Sequence, residues 1–451
     1  MAYVALETLL AGDCAWEAVG RLGRRPTTLV QALARRRVGG TVRHRLVRAA
    51  RLDPATLPYR AEVLERLAAA RAAGWSLVLV TERDPAIARR IAAHLRLFDR
   101  VLLVPARRDD GATRRTALVH DAGGRRIAWL VAPADLAQLA SPRREAAETE
   151  APAAPPRRWR ALVRALRPHQ WTKNALLFAP IALAHQLHDL ERLLSVALAT
   201  VAFCGVASGT YVLNDLLDLD ADRRHPRKRL RPFASGALSI RTGVVTAGVL
   251  LAASGALAAA LLAASAAALL GLYAVATLAY SLRLKQQLFI DVLLLAGLYT
   301  LRVMAGGAAA ALPVSPWLLA FSTFFFLSLA FLKRYAELLQ AQEARDPGLA
   351  GRAYRIEDLG LVETMGVAAG YLSVLVLCLY VSNAEIHVLY RAPGLLWAIC
   401  PVMLYWVTRI WFLARRGVVS EDPVLFTARD RASLACVALL AAVVALAALA
   451  P

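Results

Sequence analysis

The stretch that decides the fold runs from Leu193 to Ser239. It opens as LLSVALATVAFCGVASGTYVL (193–213), a run without a single charge, and passes directly into NDLLDLDADRRHPRKRLRPFASGALS (214–239). A helix needs about 20 apolar residues to cross some 30 Å of hydrocarbon, so the first part predicts a membrane span. The second part starts with Asp215, Asp218 and Asp222, spaced three and four apart. At ~100° per residue these lie within about 60° of one another on a helix, while Asp220 points to the far side as a solvated charge. A membrane helix that ends in an acidic face, followed by a run of bases, is the unit from which the rest is read.

Further runs of this kind recur to the C-terminus. Nine segments qualify as spans: roughly 174–190, 193–213, 242–262, 264–282, 289–309, 315–333, 362–382, 394–413 and 433–450. The first is interrupted at its far end by His185, Gln186 and His188. The chain of 451 residues is 58% apolar and 19% charged, which argues against a wholly soluble enzyme, whose charged share is nearer ~25%. It is too apolar for disorder. The net charge of +21 is segregated from the apolar runs, which removes the case for a soluble nucleic-acid binder; no nucleic-acid partner is expected. With nine spans, the turns after spans 2, 4, 6 and 8 share a side with the N-terminal region and hold almost all the loop arginines, whereas the opposite turns hold only Arg192 and Arg391. The Lys/Arg bias therefore predicts a multi-pass protein of a bacterial-type inner membrane, with the basic side and the N-terminal domain in the cytoplasm. Met1–Leu10 carries Glu7 and no basic leader, so no cleavable signal is expected. Five scattered cysteines show neither metal spacing nor a disulfide framework.

Three carboxylates on one face repel unless cations stand nearby. Hard oxygen ligands left partly open suit Mg²⁺, which typically joins one or two carboxylates to substrate phosphates. An EF-hand would need a glycine and a distal glutamate that are missing here. Downstream, Arg223, Arg224, His225, Lys228, Arg229 and Arg231 supply donors for phosphate oxygens. Acids for metal followed by bases for phosphate describe a diphosphate site; the bland alternative is a membrane-flanking loop of mixed charge.

Lysine usage adds a second pointer. Only Lys173, Lys228, Lys285 and Lys333 are lysine among 54 basic residues, and all four fall at predicted cytoplasmic borders, where a compact ammonium can serve phosphate as a point charge. Two of the three asparagines, Asn174 and Asn214, sit in the same motifs. Tyr280 to Lys285 closes the fourth span and Asp291 opens the fifth. Arg302, eleven residues on, shares the face of Asp291. A charge at that depth costs at least ~2.5 kcal/mol without a partner or water, so Arg302 is read as facing a cavity, with a structural ion pair as the equal alternative. Lys333-Arg334-Tyr335-Ala336-Glu337, Tyr354, Glu357, Asp358 and Asp422 are candidates for a polar rim.

Residues 1–140 read as a soluble α/β domain with a parallel sheet. Strands are expected at Ser76–Thr81, Arg100–Val104 and Ile127–Val131, and Asp84 is expected to cap a helix that starts at Pro85. Residues 141–160 form a Pro/Ala/Glu linker, expected to be extended and mobile. RRWRALVRALR at 157–167 reads as an interfacial helix on anionic lipid.

Asn214-Asp215-x-x-Asp218-x-x-x-Asp222 with HPxKxxRPxASG at 225–236 resembles the first Asp-rich motif of the UbiA prenyltransferase superfamily, and RPHQWTKNALLFAP at 167–180 is similar to a motif of its polyprenyl-phosphate (decaprenyl-phosphate) phosphoribosyltransferase branch. The resemblance covers 160–451. It implies an all-α integral membrane bundle of nine helices over 161–451, and a Mg²⁺-dependent transferase using a diphosphate donor and a polyprenyl lipid. The best match is transfer of 5-phosphoribosyl to polyprenyl phosphate. Asp215, Asp218 and Asp222 would be the catalytic, metal-holding acids; Arg167, Lys173, Asn174, Asn214, Arg223, Lys228, Arg231, Tyr280, Lys285, Asp291 and Arg302 would bind substrate. The family's second Asp-rich motif is here reduced to Asp291. That departure weakens the alternative, prenyl transfer to an aromatic acceptor. A transporter or lipid-binding protein is the other alternative, and a homo-oligomer is left open. Residues 1–140 look like a haloacid-dehalogenase-type phosphatase domain whose nucleophile position is Ala5 and whose motif lysine is missing, so the resemblance implies an inactive domain. Thr81 and Asp135 match its remaining phosphate- and metal-binding positions.

Overall fold

The computed structural model describes residues 1–23, 26–34, 42–81, 84–104, 121, 127–130, 146–150, 158–225, 228–344, 349, 352–383, 390–419 and 422–449. The chain divides into two compact units. The first comprises Met1–Pro168 and Tyr211–Gly248, the second His169–Thr210 and Val249–Pro451.

The first unit contains a parallel sheet in the order β3-β2-β1-β4-β5, with β1 at Ala2–Ala5, β2 at Leu77–Thr81, β3 at Arg100–Leu103, β4 at Ile127–Leu130 and β5 at Ala146–Glu150. β1 and β2 are buried at every position, as unbroken apolar strands covered on both faces should be. The helices Cys14–Leu22, Ala61–Ala72 and Pro85–Leu95 supply Ala18, Val63, Leu67 and Ile91 to the core beside them. The three expected strands are present. β5 is a correction: it falls within the expected linker, where the proline-free run Ala146–Glu150 leaves its backbone N–H groups able to pair with β4. Asp84 is a second correction. It occupies the N-cap position before Pro85 but makes no side-chain cap; its Oδ2 accepts instead from Arg43 Nη2 at 2.9 Å. Asp135 and residues 141–145 and 151–157 lie outside the described residues.

In the same unit the segment after Tyr211 packs on this domain. Ala165, Val212, Leu216, Leu219, Phe233, Leu238 and Ile240 form one apolar cluster, with Trp16 of the Cys14–Leu22 helix against it. Gly236 adopts φ +78°, and a Cβ there would fall 2.5 Å from that of Ala11, so the close approach requires glycine.

Among the described residues eight helices are long and apolar enough to cross a membrane: Leu190–Leu217, Ile240–Leu261, Ala264–Leu282, Ile290–Ala309, Pro316–Glu343, Ile356–Val381, Pro393–Arg415 and Arg431–Leu449. Large apolar side chains such as Val201, Val275 and Leu446 point outward from them, as on a surface solvated by lipid. The expectation of nine long helices is corrected at its first member. Residues 168–183 form a 3-10 stretch, Pro168–Phe178, followed by the short helix Ala179–Leu183. Prolines at 168 and 180 and the turn at His185 (φ +56°) prevent one continuous α-helix. The 3-10 form nevertheless reaches far: about 2.0 Å per residue, then 1.5 Å, gives roughly 30 Å in all. Within the second unit this segment runs antiparallel to the Leu190–Leu217 helix. Trp171 Nε1 donates to Ser208 Oγ at 3.0 Å and Asn174 Nδ2 to Cys204 Sγ at 3.1 Å. Leu177 lies so close to Gly306 that any side chain there would overlap its backbone.

Candidate functional site

The acidic loop is built where the Leu190–Leu217 helix stops. Asp218 breaks it with ψ 8°, and the short helix Leu219–Arg224 takes over. The four-residue hydrogen-bond spacing survives the break: Asp218 N–H donates to Asn214 O and Asp222 N–H to Asp218 O, both at 2.8 Å. Asp215 and Asp222 are therefore both turned inward, 2% and 4% exposed, with Asp218 half-buried between them. Arg231 Nη1 stands between the two buried acids, 3.1 Å from Asp215 Oδ1 and 2.7 Å from Asp222 Oδ2. Arg167 also pairs with Asp215 and lies over the Tyr211 ring at 5.1 Å. Its backbone is in the left-handed region (φ +53°) at the end of the Arg158–Leu166 helix. Burial pushes the Asp222 carboxyl above the usual range; Arg231 opposes this, and the charges of Asp215 and Asp218 add to it.

The expected cage of three carboxylates is not assembled. Among the described residues no three His, Cys, Asp or Glu side chains are grouped to hold a metal ion. Mutual repulsion is relieved instead by Arg231 and Arg167, which bring two acids to one cationic point. Two carboxylates meeting at a single positive group remain a donor set that fits Mg²⁺ arriving with a diphosphate.

Other expected site residues are placed differently. Lys228 is exposed, and its backbone N–H is bonded to His225 Nδ1. Arg223 turns to the N-terminal domain of the same unit: Nη1 and Nη2 reach Glu17 at 2.7 and 3.0 Å, Nη1 also donates to Thr56 O, and Nε to Ala234 O. Both side chains of that pair are under 10% exposed. Arg21 approaches Asp220 at 3.7 Å and Arg224 approaches Asp53 at 3.5 Å, so charges on both sides reinforce the contact. Asn214 and Lys285 are half-buried.

The second unit holds the remaining candidates in two groups. Asp291, fully buried, accepts from the Tyr354 hydroxyl at 2.9 Å and pairs with Arg334 Nε at 2.7 Å and Arg352 Nη1 at 3.3 Å. Glu337 pairs with Arg334 and with Arg352, while the Tyr280 hydroxyl accepts from both arginines. Arg334, Glu337, Arg352 and Tyr354 thus enclose the one acid left of the second motif. Sequence reasoning had placed Arg334, Glu337 and Tyr354 only on a rim; the i, i+3 spacing of Arg334 and Glu337 was the available signal. In the other group Arg302 meets no acid among the described residues. Its Nε donates to Asn174 Oδ1 at 2.8 Å, Nη1 to Leu298 O at 2.7 Å and Nη2 to the Tyr273 hydroxyl at 2.8 Å. Lys173 pairs with Asp422 at 2.6 Å. Burial would raise the Asp422 carboxyl, but Lys173 and Lys333 hold it below the usual carboxylate range. Further along the same unit an apolar cavity of about 900 Å³ is lined by Leu183, Phe321, Leu377, Met403 and Val444, with His185 and Gln186 among its polar groups.

Comparison with known proteins places this geometry in context. The UbiA prenyltransferase family profile matches residues 175–429. Nodulation protein NoeC of Azorhizobium caulinodans is 39% identical over 276 residues, which is 60% of this chain and 88% of that protein. Decaprenyl-phosphate phosphoribosyltransferase of Corynebacterium glutamicum is 39% identical over 181 residues, 40% of this chain and 54% of its own. Among solved structures, a UbiA homolog from Archaeoglobus fulgidus bound to GPP and Mg²⁺ superposes with a TM-score of 0.49 at 18% identity, over 63% of this chain and 99% of that one.

Proposed function

This chain belongs to the UbiA prenyltransferase family, and we propose that it transfers 5-phosphoribosyl from phosphoribosyl diphosphate to a polyprenyl phosphate. The observation that carries this reading is the meeting of Asp215 and Asp222 at Arg231, at the end of a helix long enough to span a membrane. Asp215 and Asp222, with Asp218 and Asn214 beside them, would hold Mg²⁺, which neutralises charge on a departing diphosphate. Arg231 and Arg167 supply fixed positive charge at the same point, where electrostatic stabilisation acts on the leaving oxygen. The bond between the anomeric carbon and the diphosphate oxygen breaks, and diphosphate leaves with the electron pair. A phosphate oxygen of the lipid forms the new bond to that carbon.

Two features favour a phosphorylated acceptor over an aromatic one. Asp291 is enclosed by Arg334, Arg352 and Tyr354 rather than left open beside a second acid. The Corynebacterium relative is named for this reaction. The apolar cavity suits a lipid chain. The arginine bias of the loops supports a cytoplasmic-membrane protein whose N-terminal domain faces the cytoplasm. That domain carries Ala5 where a phosphatase would need its nucleophile, and alanine cannot form an aspartyl-phosphate. Its contribution is mechanical: Glu17 holds Arg223 and so the loop that bears Asp222 and Arg231.

The test is incubation of membranes with labelled phosphoribosyl diphosphate plus polyprenyl phosphate, against prenyl diphosphate plus hydroxybenzoate. Product only in the second mixture refutes the reading in favour of aromatic prenylation. Asp215→Asn should lower turnover by at least about 100-fold, the loss typical of one electrostatic contact to a departing group. Retained turnover would remove Asp215 from the chemistry.

A further inference from the structure

Five cations of the second unit stand around spans five and six: Lys173, Arg302, Lys333, Arg334 and Arg352. Three acids answer them: Asp291, Glu337 and Asp422. Arg334 and Arg352 are matched to Asp291 and Glu337, and Lys173 to Asp422. That leaves Arg302 and Lys333. Among the described residues neither has a carboxylate within ion-pair distance. Arg302, 5% exposed, spends three of its five N–H groups on neutral oxygens. The ring of Tyr299 lies beneath both Arg302, at 5.4 Å, and Lys173, at 5.9 Å, so these two cations approach one point from two elements. Lys333 is near Glu337, four residues on along its own helix, and near Asp422, and feels both charges without forming an ion pair with either. Charges withdrawn from water are costly unless matched, and the mismatch here is two positive charges.

We infer that Lys333 and Arg302, both neighbours of the Lys173–Asp422 pair, form a seat for one phosphomonoester dianion, and that this dianion is the head of a lipid phosphate. The inference rests on the transferase reading for the ligand's role and adds which residues hold it. A phosphomonoester carries close to two negative charges at neutral pH, equal to the unmatched pair. Asp422 is the internal counter-ion: it balances Lys173 before the ligand arrives and shifts its share of the charge when the ligand is present. The lipid origin of the phosphate follows from placement. Lys333 and Phe321 lie on one helix, Pro316–Glu343, twelve residues or about 18 Å apart. Phe321 lines the apolar cavity. A head held at Lys333 therefore has a hydrocarbon-lined space within a few isoprene units along the same helix, which a ribose phosphate would not use.

The experiment measures binding to the purified full chain in detergent, with three probes: a polyprenyl phosphate, the corresponding polyprenol and ribose 5-phosphate. The wild type should prefer the lipid phosphate over the alcohol. Lys333→Met and Arg302→Met should each weaken the lipid phosphate by about tenfold or more, the loss of one hydrogen-bonded charge, without altering polyprenol binding. Lys333→Arg should retain the preference, which separates charge from misfolding. Asp422→Asn should tighten the phosphate. The seat is refuted if Lys333→Met binds both lipids as the wild type does, and its lipid assignment is refuted if ribose 5-phosphate competes as well as the lipid phosphate. Asp215→Asn keeps the two readings apart, since it should retain lipid-phosphate binding while losing turnover. Seat-dependent binding with no product from any donor would refute the transferase and leave the seat standing.

Discussion

Glu17→Gln is the perturbation that reads the role of the N-terminal domain most directly. Glu17 and Arg223 are 206 residues apart in sequence, both nearly buried, and joined by two hydrogen bonds of 2.7 and 3.0 Å. Removing one partner of a buried pair costs about 3–5 kcal/mol, because a charge is left unanswered. Here the carbonyls of Thr56 and Ala234 still accept from Arg223, and glutamine keeps one oxygen, so the low end of about 3 kcal/mol applies. At tenfold per 1.4 kcal/mol, opening of the loop becomes easier by roughly two decades. Hydrogen exchange read by mass spectrometry should therefore accelerate by up to that factor in peptides covering 219–236 and 14–22, while those covering 320–340 are unchanged. The apparent affinity for the diphosphate donor should fall in parallel, since Asp222 and Arg231 ride on the loop. The double variant Glu17→Gln/Arg223→Gln should cost less than the sum of the two singles. Unaltered exchange at 219–236 in Glu17→Gln would refute the argument that this ion pair holds the loop.

Gly236→Ala should destabilise the same contact, because a left-handed backbone costs an L-residue about 1–2 kcal/mol before the overlap with Ala11 is counted. A melt of the purified protein checks it, with Gly248→Ala as control, since nothing lies within 4 Å of a Cβ there. A pH prediction concerns Asp430, whose carboxyl is held down to about 2 by hydrogen bonds from Arg409, against burial, and from Ser433. A depressed carboxylate lends its stability above its ordinary value and loses it on acidification. The wild type should therefore lose stability between 3.8 and about 2, and Asp430→Asn should show a flatter profile over that window in thermal unfolding.

The membrane architecture was legible because spans need long, predominantly apolar runs, and each of the eight helices coincides with one of the expected segments. The first segment, 174–190, was misjudged because its apolar content satisfies a composition rule equally well when the chain forms a 3-10 stretch and a short helix, and only hydrogen bonding distinguishes these from one long helix. In the acidic loop, spacing alone placed Asp215 and Asp222 together. It could not show that Arg231 would come between acids expected to converge on a metal, with Arg167 paired to Asp215 beside it. Arg223 was legible as a phosphate-loop base but not as the partner of Glu17, since no local pattern links positions so distant. The scarcity of lysine did point to Lys173 and Lys333. Their common neighbour Asp422 emerged only from the packing of the chain.

The 3-10 stretch at Pro168–Phe178 carries one more consequence. With three residues per turn, side chains at i and i+3 stand directly above one another, so Trp171, Asn174 and Leu177 form a single column. That column meets Ser208, then Cys204 with Arg302, then the bare backbone of Gly306. Lys173 stands in the adjacent column, a third of a turn away, beside Asp422. The segment therefore works as a three-sided key whose amide side and ammonium side enter different locks. A single inserted residue near Pro168 would rotate it by one side and take both out of their own locks, whereas three inserted residues would restore the columns and only lengthen the shaft.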